Sequence, residues 1–515
     1  MLSNNTNKLK GKLKNDNFLL GVELTSSRGI IAEQKIQKTI QFGKDLSQLK
    51  DIDWISITDN AGGHPTLRPL TLGRQFLDTD KDVIVHLTCK DMNRNALESS
   101  AWTLASEGFT NILALTGDYP QKDYLGGAKP VFDLDSITLI QLLSSMNRGI
   151  ETGFKKKTLL SSTDFFIGAA FSNFKKNENE LMPQYLKLVQ KIKNGAQFII
   201  PQVGFDSKKM HELKLYLENN GYGHIPLIGN IYLLSKFTST LFNKNRIPGI
   251  VLTDELHSKC INAAKSTDKG KLFFIELAAK MLSITKGLGY NGAYFGGLHN
   301  IEDTKRILEM ENSFSKDDWK DFVKEISYSQ KNEHFLYEIE SDTGLLLKDK
   351  PRESHLKPKL SLKNKTNFKL SKIVHGLMFT PTSFGYKLGK KLSDVDKYPK
   401  HLPKSIHNIE KLGKEFMYDC EDCGDCALQF TQYICPESQC PKGLRNGPCG
   451  GTNNSVCEVK NQDCIWARIY DRAKYSKTEM NILNHSPAIK DNSLKDTSGW
   501  ANFWLDIDFG SKLKK

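Results

Sequence analysis

Short apolar runs alternate with longer amphipathic stretches along the first 300 residues of this 515-residue chain. Eight of the runs have strand length: FLLGVEL (18–24), IDWISIT (52–58), DVIVHLT (82–88), TNILALT (110–116), FFIGAAF (165–171), QFIIPQV (197–203), IPLIGNI (225–231) and GAYFGGL (292–298). Each is followed by polar or glycine-rich residues and then by a helix-like stretch, such as ALESSAWTLASEG (96–108) or ENELMPQYLKLVQKIKNG (178–195). Eight strands alternating with helices predict a (β/α)8 TIM barrel of the α/β class. The alternative, an open doubly wound sheet, would carry a GxGxxG fingerprint after its first strand; TSSRG stands there instead.

The pattern loosens after residue 300. NIEDTKRILEMENSFSKDDWKDFVKEIS (300–327) reads as helical, and a lysine-rich stretch, 345–372, reads as a solvated linker or surface-hugging segment. A new unit starts with IVHGLMFTPTSFGYKLGKKLSD (373–394). The expected division is a barrel over 1–300, a helical extension and linker over 301–410, a small cysteine-rich domain over 411–485, and a tail over 486–515. In the tail only WANFWLDIDF (500–509) is apolar enough to dock as an anchor.

The formal net charge is +13. Its lysines are widely spread, and the densest stretch, 345–372, is poor in aromatic residues, which argues against nucleic acid as a partner. No apolar run is long enough to span a bilayer, so membrane insertion is not expected. The amino-terminal MLSNNTNKLKGKLKNDN has no apolar signal core, and a cytoplasmic location is expected.

Eight of ten cysteines crowd into 420–464: Cys420, Cys423, Cys426, Cys435, Cys440, Cys449, Cys457 and Cys464. The first three read C-x2-C-x2-C, a spacing that brings thiolates to one point, and four thiolates hold one cluster, so eight could hold two. In a reducing compartment such clustering favours metal over disulfides. No histidine lies between 408 and 484, so any metal there has mainly thiolate ligands. Cys89 and Cys260 stand apart and read as buried thiols.

A barrel of this class works at the carboxyl ends of its strands. Those ends carry Glu23; Thr58, Asp59 and Asn60; His86, Thr88 and Cys89; Gly117 and Asp118; Phe171; Gln202; and Asn230. Each has a structural explanation alone, as a cap, a turn or a satisfied core residue. Their recurrence on successive strands points to a small-molecule site.

At these residues the chain resembles the methylenetetrahydrofolate reductase family. The resemblance runs in order through LLGVEL with Glu23, WISITDNAGG (54–63), HLTCKDMNRN (86–95), NILALTGDYP (111–120), VFDLDS (131–136), IGAAF (167–171) and KNGAQFIIPQVGFD (193–206). It covers about residues 15–300. The segment 420–459 is similar to a cysteine-rich module that accompanies this barrel in some bacteria.

The resemblance implies a flavin-bearing barrel that reduces 5,10-methylenetetrahydrofolate to 5-methyltetrahydrofolate. Glu23 matches the general acid that protonates N10 of the folate. Asp118 matches the aspartate beside the flavin N1–C2=O edge, at the catalytic centre with Glu23. Thr58, His86, Thr88, Gly117 and Phe171 fall to the flavin, Lys191 to its phosphate-ribose portion, and Gln202, with Glu23 and Asp118, to the folate. Three positions depart from the family pattern: Ser26–Ser27 for Pro-Pro, Thr116 for an arginine at the flavin phosphates, and Gln184 near a ribose-binding aspartate. A phenylalanine that stacks on substrate after the Ile-Pro of 247–249 has no counterpart. FAD is the expected flavin, with FMN as the alternative. The electron donor is NAD(P)H or a protein redox partner, and a homo-oligomer is expected. An all-thiolate ligand set beside an oxidoreductase favours [4Fe–4S] clusters, with zinc as the alternative. The same barrel could run oxidatively on methyltetrahydrofolate, or serve as a non-catalytic folate- or metal-binding subunit.

Overall fold

The computed structural model describes residues 7–14, 18–153, 156–352, 358, 360–393 and 404–512. Eight parallel strands form one sheet: β1 Leu19–Leu24, β2 Trp54–Ile57, β3 Asp82–Thr88, β4 Asn111–Leu115, β5 Phe166–Phe171, β6 Phe198–Pro201, β7 Ile228–Tyr232 and β8 Gly292–Gly296. Their hydrogen-bonded order is β6-β5-β4-β3-β2-β1-β8-β7. A parallel bridge between Ile199 and Leu227, with the Ile199 N–H donating to the Pro226 carbonyl at 2.9 Å, joins β6 to β7 and completes the predicted (β/α)8 barrel.

Strand alternation sorts the side chains. Leu19, Trp54, Ile84, Leu113, Phe166, Phe198, Ile228 and Tyr294 meet inside the barrel. Their neighbours Val22, Ile55, Val85, Ile112, Ile167, Ile199 and Ile231 face the surrounding helices. Two strand glycines make room for the rings. A Cβ on Gly21 would lie 2.0 Å from Trp54, and one on Gly168 would lie 2.2 Å from Phe198.

The helices begin with α1 Lys8–Lys14, whose Leu9 and Leu13 are buried in the interior cluster. The coat comprises α2 Gln34–Ser47, α3 Arg94–Ser106, α4 Ser136–Arg148, α5 Glu178–Lys193, α6 Ser207–Asn219 and α7 Lys271–Gly287, with α8 Ile301–Asn312 packed on α7. The barrel's coat thus continues past residue 300.

Part of the expected linker is ordered secondary structure. Leu346–Pro351 pairs with Tyr337–Ile339 as a hairpin, and Leu346 and Tyr337 pack with Leu215 of α6. The chain then forms α9 Leu362–Met378, α10 Phe384–Ser393, α11 Lys404–Tyr418, α12 Ile465–Tyr475 and α13 Gly499–Trp504. Ile465, Trp466, Ile469 and Tyr470 of α12 build the module's core, against which Met182 and Leu186 of α5 pack. The aromatic tail docks as expected: Trp504 is buried and its indole N–H donates to the Met378 carbonyl at 3.0 Å. Among the described residues no helix is long and apolar enough to cross a membrane.

Candidate functional site

The carboxyl ends of the strands enclose a cavity of about 590 Å³. Inward positions wall it: Glu23 on β1, Thr58 after β2, His86 and Thr88 on β3, Gln202 after β6, Asn230 and Tyr232 on β7, and Tyr294 on β8. Gly117, Asp118, Phe171 and Lys191 line it as well.

Glu23 accepts hydrogen bonds from the Tyr294 hydroxyl and, at 3.3 Å, from Thr25 Oγ1. Burial raises its pKa above the ordinary carboxylate value, and the two hydroxyls offset this only in part. It therefore keeps its proton to higher pH than a surface glutamate.

Asp118 Oδ2 accepts from the Gly62 N–H at 2.8 Å. Burial raises its pKa too; the Lys442 ammonium opposes that rise and Glu458 adds to it. Gly117 reaches this turn with φ at +91°, where a Cβ would press on those of Thr88 and Lys90 at 3.1 Å. His86 lies 2.9 Å from Ser56 Oγ through Nε2, and burial pushes its pKa down to about 4, leaving a neutral ring near pH 7. The N–H and Oγ1 of Thr88 both donate to Asp59 Oδ2, at 3.1 and 2.7 Å, while Arg68 pairs the other oxygen at 3.0 Å. Asp59 thereby ties β2 to β3.

Lys191 donates to the Ala170 carbonyl at 2.6 Å. Burial first, and the neighbouring Lys187 charge second, push its pKa down to about 7. Gln184 Nε2 and Asn230 Oδ1 are buried without a hydrogen-bond partner among the described residues, and both residues line the cavity.

The cysteine module supplies the remaining wall through Pro448, Cys449, Gly450, Gly451 and Glu458. Buried barrel lysines hold this loop. Lys175 donates to the Gly450 and Thr452 carbonyls at 2.6 and 2.5 Å, and Lys187 to Pro448 at 3.0 Å. In the other direction Lys442 donates to the Gly117 carbonyl at 2.9 Å while pairing with Glu458 at 2.5 Å.

The eight cysteines separate into two consecutive groups of four. Cys420, Cys423, Cys426 and Cys435 surround one small void, and Cys440, Cys449, Cys457 and Cys464 surround another, each of about 20 Å³. The short helix Pro436–Gln439 lies between them. Arg445 Nη2 donates to Cys423 Sγ at 3.7 Å, and the Gly451 and Val459 N–H groups donate to Cys449 and Cys457 Sγ at 3.5 Å. Among the described residues no three Cys, His, Asp or Glu side chains close tightly enough on one point to hold a single ion. Cys449 lines both its own void and the barrel cavity.

Every barrel residue assigned a role from the resemblance thus borders one cavity. Asn60 and Cys89 do not: Asn60 bonds Asp91 at 2.8 Å, and Cys89 is fully buried behind the strands. The Phe171 ring packs on Tyr185, with centroids 4.9 Å apart, and is only 4% exposed. Sequence reasoning missed Tyr294, although strand alternation from Ala293 predicts that it points inward beside Glu23. It also missed Lys175, Lys187 and Lys442, whose carbonyl partners lie hundreds of residues away and leave no local signal, and Glu458, which pairs with Lys442.

An eight-stranded parallel barrel with its ionisable groups gathered at the strands' carboxyl ends has the architecture of a (β/α)8 small-molecule site. The chain belongs to the methylenetetrahydrofolate reductase family. Residues 8–312 match the family described as Methylenetetrahydrofolate reductase, and residues 400–493 match the one described as Methylene-tetrahydrofolate reductase C terminal. Methylenetetrahydrofolate reductase 2 of Schizosaccharomyces pombe is 23% identical over 280 residues, which cover 53% of this chain and 41% of that protein. Two solved structures are similar at lower identity. One, an uncharacterized Clostridium thermocellum protein described as binding two copies of 5-methyl-5,6,7,8-tetrahydrofolic acid, is 14% identical with a TM-score of 0.42, covering 59% of this chain and 97% of that one. The other, 2,3-dimethylmalate lyase, is 11% identical with a TM-score of 0.32, covering 56% and 78%.

Proposed function

We propose that the chain is a flavin-dependent oxidoreductase interconverting 5,10-methylenetetrahydrofolate and 5-methyltetrahydrofolate. The observation that carries this reading is Glu23, a carboxyl whose pKa burial raises, at the wall of a cavity in a barrel of this family. Reduction needs a proton at the folate N10 to open the five-membered ring, and a hydride at the one-carbon unit. Glu23 delivers the proton, and in the oxidative direction its carboxylate takes the proton back. Tyr294 and Thr25 hold its two oxygens in place. Gln202 accepts the Val203 N–H at 2.9 Å through Oε1, which leaves its amide NH2 for the pterin.

The residues present fit a flavin, which when bound supplies the hydride. Two buried amide atoms without partners, a neutral imidazole and a lysine suit a polar heterocycle with a phosphate arm. Lys191 would meet that arm, Thr58 and His86 the ring system, and Asp118 the flavin N1–C2=O edge; FAD remains the expected form. The cysteine groups fit [4Fe–4S] clusters, which supply one-electron transfer. Four thiols per group is the donor count of one such cluster, and two groups that of two clusters; four thiolates would also hold a tetrahedral zinc ion, the alternative.

The test uses anaerobically purified full-length protein. Bound flavin is expected, with iron and sulfide of about eight each per chain. Methyltetrahydrofolate oxidation with an artificial acceptor is expected to fall at least about a hundredfold in Glu23→Gln, the scale of general acid catalysis, with flavin content unchanged. Unchanged turnover in that variant, or a protein that takes up no flavin on reconstitution, overturns the reading.

A further inference from the structure

Three helices between the barrel and the cysteine module leave apolar side chains in solvent. On α9 these are Leu370, Ile373 and Leu377, spaced three and four apart so that they share one face. On α10, Phe384, Leu388 and Leu392 follow every fourth position, with Phe384 80% exposed. On α11, Ile409, Leu412 and Phe416 repeat the pattern, and Phe416 is 92% exposed. Isolated surface leucines are ordinary, but three amphipathic helices with their apolar faces outward are not.

The charge around these faces is one-sided. Residues 362–393 and 404–418 contain ten lysines and two acids, a surplus of eight within a chain whose total is +13. Of the two acids, Glu410 is buried and paired with Lys414. Lys363, Lys369 and Lys372 are exposed on α9, and Lys387 and Lys391 on α10. The unit is also anchored: Asn367 Nδ2 donates to the Met417 carbonyl at 3.3 Å, Ser371 and Tyr418 bond at 2.7 Å, and Phe379 stacks on Trp504 at 5.8 Å. Beside it opens an apolar cavity of about 240 Å³, lined by Val374, Phe379, Tyr433, Trp500 and Phe503 and reaching Cys426.

We propose that α9, α10 and α11 dock on an anionic lipid bilayer, lying in its interface with their leucine, isoleucine and phenylalanine side chains among the acyl chains. Protein interfaces are depleted in lysine, whereas an apolar face fringed by lysines is the signature of a helix at a charged membrane surface. Long lysine side chains reach from such a face to the headgroup phosphates. None of this needs a spanning segment. Docked in this way, the chain presents the Cys426 side of its module, and the apolar cavity beside it, to the lipid.

The experiment is co-sedimentation of the purified full-length protein with extruded vesicles, of phosphatidylcholine alone or mixed with phosphatidylglycerol. Binding to the phosphatidylglycerol vesicles is expected, with loss at about 0.5 M salt, where surface charges are screened. The double variant Ile373→Glu/Phe416→Glu should bind at least about tenfold more weakly. Lys369→Glu/Lys391→Glu should lose a similar factor through charge alone. Flavin and iron contents equal to wild type show that both variants are folded. Absence of vesicle binding overturns the proposal. So does equal binding to pure phosphatidylcholine, or a dimer in sedimentation velocity that Ile373→Glu/Phe416→Glu dissociates, since a second copy would then cover the face.

Discussion

Glu23 and Lys191 are both buried at the barrel mouth, and burial acts on them in opposite senses. It raises the pKa of the acid and lowers that of the base, so each sits nearer neutrality than its type does in water. For Lys191 the ammonium form is present below about pH 7 and lost above it. A phosphate in contact with it would favour the charged form and raise its pKa. Affinity for a flavin nucleotide is therefore expected to be greatest below pH 7 and to fall as pH rises toward the bound value. Lys191→Met should flatten that profile and weaken FMN or FAD binding at pH 6 by about tenfold, the worth of one charge-assisted hydrogen bond. Riboflavin, which has no phosphate, should bind both proteins alike; flavin fluorescence titrations read all of these. Lys191 entered the candidate site through a resemblance, because a lysine on a helix has no distinguishing local pattern. Glu23 entered as a carboxylate at the end of an apolar strand, one of several polar strand ends, and its role as an acid came from the resemblance.

The barrel strands were legible because alternation and length leave little choice for LLGVEL or DVIVHLT. What was not legible is how the barrel floor is closed. α1 lies in an amino-terminal stretch that reads as polar, since four lysines surround its two leucines. Leu9 and Leu13 are one turn apart, and both are buried under Leu19, Trp54 and Ile84. Asn7 fixes the helix by donating to Asn111 Oδ1 at 2.8 Å. Leu13→Ala should therefore cost about 2–5 kcal/mol, as a core leucine does, while the exposed neighbour change Lys14→Ala should stay within about 0.5 kcal/mol. Denaturant unfolding followed by tryptophan fluorescence measures both. Equal, small effects would mean that α1 is not part of the barrel core. In the segment 345–372, read from its lysines as a solvated or surface-hugging stretch, the anchor was hidden for a related reason: Leu346 finds Leu215 and Tyr337 only once the chain has folded.

At the scale of the whole molecule, the cysteine module forms a wall of the barrel's cavity. The sequence announced eight cysteines but not their division, because the spacings after Cys426 follow no standard run. The split falls at Pro436–Gln439, and the second group lies against the barrel through Cys449. Among the contacts that join the two units are buried lysines from the barrel donating to module carbonyls, which have no signature in either sequence segment. Lys175 is the central one, fully buried and bonded to both Gly450 and Thr452. Lys175→Met keeps its bulk and apolar stem but leaves the Thr452 carbonyl without a donor, at about 1–3 kcal/mol, and the Gly450 carbonyl with only Ser172 Oγ at 3.2 Å. The loop over the cavity should then loosen while the cysteines keep their own surroundings. Flavin content and folate turnover are expected to fall several-fold, with iron and sulfide per chain unchanged. If flavin and turnover hold while the loop becomes protease-sensitive, the module is docked on the barrel without being part of its working wall. Parallel loss of iron and flavin would mean that the two units stand or fall as one body.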